Sequence, residues 1–80
     1  MSRARDVVEV VARALATKPE SVSVTEFERR GQTVVKLTMA AGELGRVIGR
    51  QGRTAAAVRT LAAAAADVDG QRVSVDFDDV

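Results

Sequence analysis

The residues best suited to chemistry lie between Gly42 and Arg59, in GELGRVIGRQGRTAAAVR, and centre on Gly49-Arg50-Gln51-Gly52. Glycine has no Cβ and tolerates positive φ, so two glycines bracketing two polar residues make a turn that a large anion can approach closely. A helix-forming run follows at once. Its free N–H groups and the positive end of its dipole face whatever sits on the turn. Arg46, Arg50, Arg53 and Arg59 surround the turn against one acid, Glu43. The chemistry this pattern supports is capture of phosphate groups.

Composition limits what such a site can belong to. Eighty residues make one small domain spanning 1–80, near the lower size at which a single core sustains a fold unaided. There is no cysteine and no histidine, which removes disulfides, thiolate metal sites and the commonest general base. Carboxylates are the only remaining metal ligands, and no nucleophile, base and metal constellation assembles along the chain. The expectation is a protein that is not an enzyme and carries neither cofactor nor metal. Net charge is only +1, yet it is segregated. Leu44 to Thr60 holds arginines and no acid, whereas Asp67 to Val80 holds aspartates against Arg72 alone. No apolar run approaches the ~20 residues of a membrane span, and MSRARDVV lacks the apolar core of a signal peptide. A soluble, cytoplasmic chain with no membrane partner is expected.

Two other phosphate-binding designs fail on these residues. A P-loop needs G-x-x-x-x-G-K-[ST]. Gly52-Arg53-Thr54 lacks the lysine, and Val47 stands where the first glycine belongs. An RRM or OB-fold stacks bases on aromatics, and this chain has two Phe and no Tyr or Trp. The plainest alternative is that the glycines only permit a tight turn between helices and that the arginines are solvated surface. Deciding between that and a phosphate site depends on the elements around the turn.

Those elements read as follows. Ser2 caps a first helix running to about Thr17, with Ala4, Val7, Val8, Val11, Ala12 and Leu15 on one face and Arg5, Asp6, Glu9 and Arg13 on the other. Ser21 to Arg29 alternates as a strand, Arg30-Gly31-Gln32 is a turn, and Thr33 to Met39 alternates again, which together make a hairpin. The first strand is ambiguous in register, because Val22 and Val24 share a face with Glu26 and not with Phe27. Leu44, Val47 and Ile48 are spaced to anchor a short helix. After the glycine turn, Arg53 to about Ala66 is an alanine-rich helix with Val58, Leu61, Ala62 and Ala65 predicted to face inward. Asp69-Gly70 supplies a turn, and Arg72 to Phe77 alternates as a last strand with Val73, Val75 and Phe77 inward. The order αββααβ predicts an α+β two-layer sandwich, a three-stranded sheet with three helices on one face.

In that context, Leu44-Gly45-Arg46-Val47-Ile48-Gly49-Arg50-Gln51-Gly52-Arg53 resembles the signature of K-homology (KH) domains, apolar residues leading into I-G-x-x-G. The element order resembles the type II, prokaryotic arrangement. Nearly the whole chain is similar to the small bacterial single-KH RNA-binding proteins of the KhpA type. The resemblance implies a GxxG loop clamping the backbone of a short single-stranded RNA. Gly49 and Gly52 would admit the backbone, Arg50 and Gln51 would project toward phosphates, Arg53 would follow in the next helix and Arg46 would add potential. Val47 and Ile48 would border a groove for the bases, formed by the two helices and a strand, the third by analogy.

The resemblance further implies a post-transcriptional regulator or RNA chaperone. It acts as a homodimer or with a larger KH-containing (Jag/EloR-type) protein linked to cell elongation and cell shape. The alternative is an interaction adaptor in a cell-elongation or division complex, with little RNA binding of its own. Ala56, Thr60, Ala63 and Ala64, opposite the predicted core stripe, offer a small-residue face for that contact. The aspartates near the C-terminus, Asp76, Asp78 and Asp79, are expected to repel RNA at one end of the groove. Ala40-Ala41-Gly42 is expected to loosen the approach to the short helix.

Overall fold

The computed structural model describes residues 2–79, so the chain ends of the expected 1–80 domain, and the side chain of Asp79, lie outside the described residues. The elements are α1 (Arg3–Leu15), β1 (Ser23–Arg29), β2 (Gln32–Met39), α2 (Leu44–Ile48), α3 (Arg53–Val68) and β3 (Val73–Asp79). The sheet order is β1-β2-β3, with β1 antiparallel and β3 parallel to β2. Strand β3 is therefore an edge strand. The parallel β2–β3 pair forces a crossover, and α2 and α3 supply it.

Helix α1 starts as expected. The Ser2 hydroxyl accepts the Arg5 N–H at 3.1 Å, satisfying one of the unpaired donors of the first turn. The Glu26 carboxylate accepts from both the backbone N–H and the hydroxyl of Ser2. This resolves the register of β1: Val24 and Glu26 do share the helix side of the sheet, and Glu26 is there because a carboxylate at a helix N-terminus is favourable. Phe27 consequently lies on the opposite face, paired with Val34. Helix α1 ends at Leu15, two residues earlier than expected, and Leu15 is left exposed at the helix end.

The core lies between the sheet and the helices: Ala4, Val8 and Ala12 from α1, Val24, Val35, Leu37, Met39 and Val75 from the strands, Val47 from α2, and Val58, Ala62 and Ala66 from α3. Small residues dominate the helical side, so α1 and α3 pack closely. They run antiparallel, with Arg3 at the start of α1 paired to Asp69 at the end of α3 at 3.0 Å. One expectation fails here. Leu61, predicted to face inward, is 52% exposed, and Ala55 and Ala66 are buried with Val58 and Ala62 instead. The buried arc of α3 is set by the sheet and α1 together. Periodicity of the apolar residues alone placed it one position out of phase.

Candidate nucleic-acid interface

The GxxG turn is built from backbone conformations that few residues tolerate. Gly49 has φ 74 and ψ 175, a region essentially confined to glycine. A Cβ there would also meet Thr54 Oγ1 at 2.4 Å and Thr54 Cβ at 2.8 Å, so Gly49 is required on two grounds. Gly52 is left-handed at φ 71 and ψ 15 with open space around a hypothetical Cβ. Gln51, between them, is itself left-handed at φ 57 and ψ 24, a conformation that costs a non-glycine residue about 1–2 kcal/mol. The turn thus stores strain at an exposed position, as ligand clamps do.

Side chains at the turn point to solvent. Arg50, Gln51 and Arg53 are exposed, and Arg53 Nη2 donates to Gln51 Oε1 at 3.2 Å. Neither Arg50 nor Arg53 forms an ion pair among the described residues. Arg46 differs, since its Nε lies 3.4 Å from Glu43 Oε2.

Glu43 holds the approach to α2 in place. Its Oε1 accepts from the N–H and hydroxyl of Thr17, each at 2.7 Å, and from the Lys18 N–H at 3.1 Å. The Thr17 hydroxyl above all, then the backbone donors of Thr17 and Lys18 and the Arg46 charge, hold its carboxyl below the ordinary glutamate range against the opposing effect of burial. A further hydrogen bond runs from Glu43 N–H to the Ala40 carbonyl at 3.0 Å. The Ala40-Ala41-Gly42 stretch, expected to be loose, therefore leads into a well-tied residue.

Beside the turn opens a groove of about 630 Å³. One wall is Ile48, Gly52, Ala55 and Arg59; the other is Lys36, Asp76, Phe77 and Asp78. The strand bordering it is β3, reached because β3 is the sheet edge. Ile48 lines the groove, whereas Val47 is 1% exposed and spends its surface in the core. A one-residue step on α2 rotates the side chain by about 100°, so only one of the pair can face out. Asp76 and Asp78 also stand on the groove, but Arg29 lies 3.8 Å from Asp76 and Lys36 3.3 Å from Asp78, which tempers their repulsion.

Three groove residues were not singled out for ligand contact from sequence, Lys36, Ala55 and Phe77. Phe77 alternates with Val73 and Val75, which identified its face; no local signal says that this face ends at an open edge. Its ring carries the Arg59 guanidinium, 4.8 Å from the centroid.

Three helices on one face of a three-stranded mixed sheet, with a GxxG turn joining the second helix to the third, define a type II KH domain. The family described as KhpA/KhpB, KH domain, matches residues 5–77, and the chain belongs to it. This is a KH-domain family, not an enzyme family. The chain is 41% identical to RNA-binding protein KhpA of Aquifex aeolicus over 96% of this chain and 98% of that protein. It is 38% identical to RNA-binding protein KhpA of Clostridium perfringens, over 91% and 97%. Among solved structures, Aquifex aeolicus Era Y63A bound to GDP.AlF4- superposes with a TM-score of 0.60 at 19% identity, over 96% of this chain and 30% of that one. A similar match, TM-score 0.62 at 18% identity, is to Era in complex with MgGDPNP and nucleotides 1506–1542 of 16S ribosomal RNA, over 95% of this chain and 29% of that one. These two likenesses concern the fold. No helix among the described residues is long and apolar enough to cross a membrane.

Proposed function

We propose that the chain binds short single-stranded RNA by clamping its backbone on the Gly49–Gly52 turn, with the bases in the groove beside it. The observation that carries this reading is the turn itself: two glycines in positive-φ conformations, one with no room for a Cβ, with Gly52 lining the groove and the adjacent, exposed Arg50 and Arg53 forming no ion pair among the described residues. The exposed side chains of Arg50, Gln51 and Arg53 fill no packing role that would maintain the strained conformation at Gln51. The names of the curated relatives, RNA-binding protein KhpA, agree. Arg50, Gln51 and Arg53 contact phosphates, Arg46 adds potential from behind Glu43, Ile48 faces the bases, and Val47 holds α2 from beneath. Each phosphate neutralised contributes about −0.7 to the logarithmic salt slope. A single small module of this kind binds weakly, which suits a post-transcriptional regulator or RNA chaperone of the cytoplasm that works with a second module.

The test is filter binding or crosslinking of single-stranded RNA to wild type and to an Arg50→Asp, Gln51→Asp double variant. Binding is lost with an unchanged Tm, because the turn is exposed and both glycines remain. Undiminished affinity in the variant would remove the site.

A second reading is favoured by one observation. Val10 on α1 and Leu61 and Val68 on α3 are 68%, 52% and 69% exposed, apolar side chains left uncovered on two helices that pack against each other. Ala57 and Ala64 continue the stripe of Leu61 and Val68 along α3, and Ala64 is shared with the small-residue face expected from sequence. We propose that this surface joins the chain to a second copy or to a larger KH-containing protein of the Jag/EloR type, in a complex serving cell elongation or division. If that role stands alone, it is the adaptor reading, with little RNA binding.

A further inference from the structure

Of the two phenylalanines in the chain, Phe77 occupies the groove and Phe27 the opposite face of the sheet. The faces follow from register: Phe77 pairs with Leu37 and Phe27 with Val34, and residues three apart on β2 point opposite ways. The Phe77 ring packs partly against the core, while the Arg59 guanidinium lies over it. Arg59 is held there by a long hydrogen bond, Nε to the Val75 carbonyl at 3.4 Å, near the limit at which such bonds hold. The groove therefore contains one aromatic surface, covered by one loosely tethered, exposed cation.

We propose that Phe77 is a stacking platform for one unpaired base, which takes the place of Arg59 on the ring. This rests on the RNA-binding reading above and adds a contact of a different kind: a π-face for a base, beside a turn that holds phosphates. Arginine and a nucleobase are both planar groups that stack on an aromatic ring. The position over Phe77 that the guanidinium fills in the free protein is thus suited to a base. Arg59, released, remains at the end of the groove on α3 and offers its charge to the same strand. Stacking of this kind tolerates any base, so the platform adds affinity and fixes one base without selecting its identity.

The experiment uses a set of short single-stranded RNAs, each with one abasic nucleotide, titrated against wild type, Phe77→Leu and Phe77→Tyr. In wild type, one abasic position weakens binding by about fivefold or more, the lower range for loss of one stacked base. Phe77→Leu binds the intact RNA more weakly by a similar factor and is indifferent to the abasic nucleotide at that position, while Phe77→Tyr keeps the wild-type penalty. An equal penalty in Phe77→Leu overturns the proposal.

A second measurement needs no variant. With no Tyr, Trp or His in the chain, the aromatic proton spectrum contains only Phe27 and Phe77. Intact RNA shifts the Phe77 ring resonances upfield and leaves those of Phe27 in place; unmoved Phe77 resonances in an RNA complex overturn the proposal. Failure of wild type to bind any of the RNAs is a different result, because it removes the RNA-binding reading itself.

Discussion

The two ends of α3 face solvent by opposite means. At its N-terminal end the chain presents a glycine-bracketed turn with a strained backbone and exposed arginine side chains. Along its outer side toward the C-terminus it presents Ala57, Leu61, Ala64 and Val68, an uncharged stripe with Leu61 and Val68 52% and 69% exposed. The first suits a polyanion, whose charge is met by donors and cations that need no burial. The second suits only another apolar surface, because water is its least favourable neighbour. One helix thus carries two contact chemistries that do not overlap, so each can be broken without touching the other.

The largest effect is expected at the turn. Two acids at Arg50 and Gln51 set like charge against phosphate, a juxtaposition costing several kcal/mol, so single-stranded RNA affinity falls by about 10²-fold or more. The same variant sediments as wild type. Ala64→Glu gives the reverse pattern: self-association is lost in sedimentation, while RNA affinity of the isolated protomer is kept. If either variant alters both readouts, the two ends of α3 act as one site and the division fails.

A smaller effect separates the two glycines. Gly49→Ala combines a glycine-only conformation with a collision against Thr54 and costs about 3 kcal/mol of stability; Gly52→Ala meets open space and costs about 1 kcal/mol for its left-handed φ. Denaturant unfolding ranks them. Equal losses would mean that the Thr54 contact relaxes freely.

The smallest effect concerns the tie beneath the turn. Because the Glu43 carboxyl is held below the ordinary glutamate range, the unfolded chain takes up the proton first as pH falls. Stability from this group is whole above that range and drains away as pH drops through the folded value. Glu43→Gln is less stable near neutrality, and its stability falls less steeply in acid. Parallel curves for variant and wild type across that window would show that Glu43 carries none of the acid sensitivity. Glu9, held low by Arg5 first and then by Arg13, is half-buried and pairs with both along α1, and because single i,i+4 pairs on a helix are individually weak, Glu9→Gln changes little.

Much of this was legible in the residues. The αββααβ order, the Ser2 cap, the hairpin and the glycine turn depend on local chemistry: capping oxygens, period-2 and period-3.6 spacing, and glycine where φ turns positive. Three features were not. Leu61 shares apolar spacing with Val58 and Ala62, and only the joint arc of contact with α1 and the sheet decided that it points out. Glu26 conflicted with its strand until the start of α1 was brought beside it. Val47 and Ile48 looked equivalent until the sheet buried one of them.

What the sequence by itself determined was the glycine frame of the site, since Gly49 and Gly52 accept positive φ without a Cβ and the arginines follow by spacing from them, whereas the left-handed Gln51 between them is held against its own sterics by its surroundings. What only the tertiary structure decided was the groove. Its far wall comes from β3 together with Lys36 of β2, and the place of β3 at the sheet edge depends on parallel pairing with β2 across the α2–α3 crossover. Alternation along β3 says which side chains share a face. It does not say that this face ends at an opening, with Phe77 beneath Arg59, because strand order is settled by contacts between residues far apart in the chain.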